Sequence, residues 1–163
     1  MTTIFPMATS ANEDSPRYHE DQLIKQAIAI LENRMFKRGP YLESPEDVRQ
    51  YLRLRLAGEI QEVFSALFLD ARHRVVAYEP LFYGTIDVVN VYPRRILQRA
   101  LEHQCAAIIV AHNHPSGDTI PSPGDIQITK TLSDVLPKLN VRLLDHFIIG
   151  EGEPYSFAES GLI

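Results

Sequence analysis

Between His19 and Lys37 the apolar residues Leu23, Ile24, Ala27, Ile28, Leu31 and Met35 return at helical spacing. This predicts an amphipathic helix, stopped by Gly39-Pro40. The helix has no hydrophobic partner in its own segment, so it must dock on the body of the domain or on another chain, for instance in a homodimer. A second periodic run, Val48, Tyr51, Leu52, Leu54 and Leu56, follows "SPED". Ser44 is placed as its N-cap, Pro45 at the first helical position and Asp47 at the third, with Gly58 closing it. The period then changes. "EVFSALFLD" (62–70) has apolar residues on both parities, as in a strand covered on two faces. After the turn "ARHR", "VVAYEPLFYGTIDVVNVY" supplies one or two strands broken near Pro80 and Gly84. Pro93 opens a helix with Ile96, Leu97, Ala100 and Leu101 inward, and "CAAIIVAH" is a fully buried strand. "SPGDIQITKTLSDVLPKL" is another capped helix, with Ser122 as N-cap, Pro123 next and Asp125 at the third helical position; "VRLLDHFIIG" is a strand.

Residues 1–17, with Thr, Ser, Asn and Pro but no period, read as a mobile tail, 18–43 as a helix and linker, and 44–163 as one domain. Strands alternating with helices predict a mixed α/β domain, and the short connection after Asp70 predicts at least one antiparallel hairpin. The 163 residues suit one domain, and no apolar run approaches the roughly 18 residues of a membrane span. The first residues lack the basic start and apolar core of a secretory signal. The single cysteine, Cys105, lies in an apolar run and reads as a buried structural thiol rather than a nucleophile. Together these point to a reducing cytoplasm. A net charge of −5 argues against direct nucleic-acid binding through a broad basic footprint.

The chemistry gathers in "VAHNHPSGDTIPSPGDIQI" (110–128). In extended backbone His112 and His114 project to one side. The Gly/Pro connection can fold back, placing Asp125 in the first turn of the next helix, beside the strand end that carries the histidines. A His2Asp metal site open on one side is one reading. The other is a polar loop whose Asp125 only caps a helix, worth about 0.3–1 kcal/mol. The two do not compete, because a carboxylate has two oxygens. Glu62 could by itself be a solvated charge at a strand end, and His146 a satisfied core histidine.

His112-x-His114, seven residues, Ser122, two residues and Asp125 match the core of the JAMM (MPN-type) metallopeptidase motif. "HNHPSGD", with the flanks "EVFSALFLDARHRVVAYEPLFYGTIDVVNVYPRRIL" and "VRLLDHFIIGEGEPYSFAESGLI", resembles the RadC family of that superfamily over about Ser44 to Ile163. The resemblance implies an MPN/JAB-like, cytidine-deaminase-like three-layer fold, helices packing on a mixed sheet. It implies Zn2+ held by His112, His114 and Asp125, Glu62 as general base, and Ser122 stabilising the oxyanion. Asp145 and His146 would stand behind the ligands. The activity implied is hydrolysis of peptide or isopeptide bonds in an unknown protein or peptide. The alternative is a non-catalytic MPN-fold interaction module in a DNA-repair or mobile-element pathway. No helix-hairpin-helix region is visible before the match, so the chain resembles the short, catalytic-domain-only members.

Overall fold

A computed structural model describes residues 15–36, 45–84 and 91–163. The tail at 1–14, the Gly39-Pro40 stop and the Ser44 cap lie outside the described residues, as does the side chain of Met35. Among the described residues four α-helices and five strands follow in the order α1 (Pro16–Phe36), α2 (Pro45–Leu56), β1 (Val63–Leu69), β2 (Val75–Tyr83), α3 (Pro93–Glu102), β3 (Ala107–Asn113), α4 (Pro123–Val135), β4 (Arg142–Ile149) and β5 (Tyr155–Ser156). The sheet order is β2-β1-β3-β4-β5, with only β3 and β4 parallel. This is a mixed α/β domain of MPN/JAB-like type.

The two parities of β1 explain the layering. Val63, Leu67 and Leu69 pack with Tyr51, Leu52 and Leu56 of α2, whereas Phe64, Ala66 and Phe68 pack with Ile96 of α3 and Leu132 of α4. Every residue of β1 and β3 is buried, as a sheet sandwiched between helices requires. Cys105 lies buried in the second of these clusters, and burial pushes its thiol pKa up, as suits a structural residue. No helix among the described residues is long and apolar enough to cross a membrane.

Some expectations shift. The first helix starts at Pro16, with Tyr18 N–H donating to the Ser15 hydroxyl at 3.1 Å, so Ser-Pro opens this helix too. It docks on α2 through Leu31 and Ile28, and the Tyr51 hydroxyl donates to Glu32 at 3.1 Å. Leu23 and Ile24, expected inward, are exposed. At about 1.5 Å per residue, 21-residue α1 outruns the 12-residue α2 it docks on, and among the described residues its N-terminal half stays mostly exposed. Leu101 is exposed as well, because it stands about 140° around α3 from buried Ile96. Pro80 does not break β2. It sits on an edge strand at a register shift, where a missing N–H disturbs no ladder.

One irregularity bears on the site. In β4, Leu143 pairs with Ile108 but Asp145 with Ile109, so Leu144 is an inserted bulge residue. Leu143 faces α4, and the bulge resets the alternation so that His146, not Asp145, faces α4 beyond it.

Candidate metal centre

β3 ends in the sheet centre, and its last turn outward delivers His112 and His114 to the α4 side. His112 is fully buried, its ring stacked on Phe64 with centroids 5.9 Å apart. His114 begins the loop, which is stitched to the end of β4: His114 N–H donates to Ile149 O at 2.9 Å and Glu151 N–H to Gly117 O at 2.8 Å. Gly117 has φ +85°, and a Cβ on Gly150 would stand 2.4 Å from the Gly117 carbonyl oxygen. Glycine at both places is what lets the loop close against the strand.

α4 delivers the third group through a reciprocal capping box. Asp125 N–H donates to the Ser122 hydroxyl at 3.1 Å, and Ser122 N–H donates to Asp125 Oδ2 at 2.7 Å. The helix start therefore aims the carboxylate before any ligand is present. The Ser122 hydroxyl accepts in this box, so its own proton is free to point outward.

The three side chains converge. His112 Nε2 is 3.0 Å from His114 Nε2 and 3.1 Å from Asp125 Oδ1, and His114 Nε2 is 3.4 Å from Asp125 Oδ2. Donors at about 2.0–2.1 Å around one tetrahedral ion stand about 3.3 Å apart. The set therefore fits a small divalent cation, and His112, His114 and Asp125 could hold one.

Hydrogen-bond direction points the same way. Thr129 Oγ1 donates its single proton to Asp125 O at 2.6 Å and lies 2.6 Å from His146 Nδ1. With that proton used, His146 Nδ1–H must be the donor to Thr129, which leaves His146 Nε2 an acceptor. His112 Nδ1, 2.9 Å away, then carries the proton that His146 accepts, and His112 Nε2 is left as a bare lone pair. His114 Nδ1 donates to Asp118 O at 2.8 Å, baring its own Nε2. Two lone pairs and a carboxylate thus face one point, which calls for a cation. Without an ion a proton serves. The Asp125 carboxylate raises the His114 pKa above its ordinary value; burial opposes this, and the Asp118 carbonyl and the Glu62 charge assist. Burial disfavours ionised Asp125, but the neighbouring His112 and His114 rings and the bond from Ser122 hold its carboxyl far below the usual range. Burial keeps His146 neutral, as its acceptor role needs.

Glu62 immediately precedes β1 on the same face. Burial first, and the Asp125 charge second, push its carboxyl pKa up, while His112 and His114 pull it down, so it shares the field of the cluster. Asp145 is placed otherwise: its carboxylate accepts from His146 N–H at 2.7 Å, the Ser156 hydroxyl at 2.6 Å and Ala158 N–H at 3.0 Å. It braces the C-terminal turn rather than a ligand. Thr129 was not singled out from the sequence, although it is one turn after Asp125 on the same helix face. Replacing it with Val keeps its shape and frees the His146 tautomer. A Thr129→Val variant is expected to bind Zn2+ about 10–100-fold more weakly while remaining folded, by competition against a chromophoric chelator. An unchanged Kd would show that the tautomer is set elsewhere.

The fold and side chains define a three-layer α/β domain with a metal-competent His-His-Asp cluster at the end of its central strand. A family model described as RadC-like JAB domain matches residues 42–162, and the chain belongs to that family. It is similar to the UPF0758 protein of Azotobacter vinelandii, 56% identical over 140 residues, which cover 83% of this chain and 62% of that protein. The UPF0758 protein of Stutzerimonas stutzeri is 55% identical over 125 residues, 77% of this chain and 56% of that one. UPF0758 protein Smlt0399 of Stenotrophomonas maltophilia is 56% identical over 120 residues, 74% and 51% of the two. The chain thus spans from 51% to 62% of the length of these relatives.

Proposed function

We propose that this domain is a zinc-dependent hydrolase of the JAMM type, cleaving peptide or isopeptide bonds in a polypeptide substrate. The observation that carries the reading is the convergence of His112 Nε2, His114 Nε2 and the Asp125 carboxylate, with both nitrogen lone pairs bared by hydrogen bonds behind them. When bound, zinc supplies Lewis acidity and brings the pKa of a water down to about 7. Glu62 accepts the proton of the attacking water and passes it to the leaving amine. Its raised pKa suits both halves of that task, since a more basic carboxylate takes the proton more readily. Ser122, whose hydroxyl keeps its own proton while accepting in the capping box, donates to the carbonyl oxygen as charge develops there. A cleft of about 400 Å³, lined among others by Arg53, Asn113 and Glu151, opens beside His114 on the α2 side. The filled ligand set speaks against the non-catalytic module.

Elemental analysis of the purified chain is expected to give one zinc per chain, and a fluorogenic peptide or isopeptide-linked probe should be cleaved in a way that chelation stops and zinc restores. Protein without stoichiometric metal, whose thermal stability ignores chelators, would sink the reading.

A further inference from the structure

The residue between the two histidines faces the other way. Strand alternation sends His112 and His114 to the α4 side and Asn113 to the α2 side, where it is buried. The β1–β3 ladder reaches Phe64 opposite His112, and at the next step the Asn113 side chain takes over from the backbone. Its Oδ1 accepts from Val63 N–H at 2.8 Å. Its Nδ2 donates to Gln61 O at 3.0 Å and to Glu59 O at 3.3 Å. The flipped amide would set NH2 against an N–H and oxygen against two carbonyls, so the orientation is fixed.

These bonds bracket Glu62. The Gln61–Glu62 peptide is held by its carbonyl and the Glu62–Val63 peptide by its N–H, both on one carboxamide. Gly84 N–H adds a third hold on Glu62 O at 2.8 Å. Fixing the peptide planes on both sides of a Cα fixes its φ and ψ, and with them the direction of Cβ. Glu62 lies just outside the regular strand, so no complete ladder does this for it.

We propose that Asn113 is a positioning residue for Glu62: its carboxamide locks the backbone on both sides of the glutamate, so that one three-residue segment sets two ligands on one face and the base through the other. The proposal rests on Glu62 acting as the base. It implies that loss of the Asn113 carboxamide leaves the His-His-Asp cluster intact and releases Glu62 alone.

Two measurements on the whole chain test it. In metal-free protein, Asn113→Ala is expected to speed amide exchange at least tenfold within 58–64 and to leave 107–114 unchanged. Exchange at Val63 unaltered, or raised uniformly across the sheet, overturns the proposal. In cobalt-loaded protein, Asn113→Ala should keep Co2+ affinity within threefold and reproduce the change in visible spectrum caused by Glu62→Gln. The double variant should add nothing further. A wild-type spectrum in Asn113→Ala, where Glu62→Gln alters it, also overturns the proposal. Should wild type take up no Co2+, or Glu62→Gln leave the spectrum unchanged, the metal and base assignments fall, and the exchange result still decides whether Asn113 holds the segment. If the alanine variant does not fold, Asn113→Ser provides the same comparison.

Discussion

A Glu62→Gln variant is expected to keep its metal and lose about 10²–10⁴-fold in kcat, the usual worth of a positioned proton acceptor. The substitution preserves the size of the side chain and the backbone bonds that Val63, Gln61 and Gly84 make around it. It removes only the basic oxygen. Glu62 is not among the three converging donors, so metal content should not change. Its pKa is raised, chiefly by burial, so it stays protonated to a higher pH than a solvated glutamate. A protonated carboxyl cannot accept, so wild-type kcat/KM should fall on the acid side as Glu62 takes up its proton. That uptake comes at a lower pH in zinc-loaded than in metal-free protein, because the ion's charge favours the carboxylate. That acid limb should vanish from the residual activity of the variant. Steady-state kinetics against pH, with zinc content measured on the same samples, check both points. Full activity in Glu62→Gln would return the base to another group, and Glu59 three residues earlier is the first to try.

His114→Ala is expected to weaken Zn2+ binding by more than about a hundredfold, beyond the 10–100-fold typical of groups behind a ligand. It is the better ligand to remove because it starts a loop and is partly exposed. His112 is wholly buried, and its loss would leave a cavity under Phe64 and strand the acceptor nitrogen of His146. The same residue gives the metal affinity a pH dependence. A ligand must be neutral, and Asp125 raises the His114 pKa, so protons compete from a higher pH than for an ordinary imidazole. Below that value affinity should fall by about tenfold per pH unit, one proton being displaced per ion. Competition titrations across pH read this directly, and a His114→Ala protein with unchanged Kd would remove the residue from the ligand set.

Much of this arrangement is legible along the chain because local rules decided it. The Ser-Pro-x-Asp start fixes the capping box at Ser122 and Asp125, and the apolar run 107–111 can only be a covered strand. The places where the reading went astray are tertiary. Leu23 and Ile24 have helical spacing, but whether a face is covered depends on how far the neighbouring helix extends. Pro80 is a breaker in a central strand and harmless on an edge, and sheet order is not written in local pattern. Thr129 and Asn113 went unremarked for a related reason. Their partners, His146 and the 59–63 segment, lie 17 or more positions away, and a hydroxyl or carboxamide has no periodic signature. Asp145 and His146 look like a pair in sequence, yet one braces the C-terminal turn and the other backs His112.

The extra residue at Leu144 lets Leu143 and His146, three positions apart, share the α4 face. Deleting it would leave Leu143, Asp145 and His146 opposite Ile108, Ile109 and Val110 in unbroken alternation, so His146 would keep its side of the sheet, toward Thr129 and His112. Register at this point is therefore held more tightly than length. Another aliphatic side chain can fill the place of Leu144, and a gap there would be absorbed by the strand as a lost bulge. When related chains are aligned, a one-residue gap between Leu143 and Asp145 is thus compatible with an intact centre.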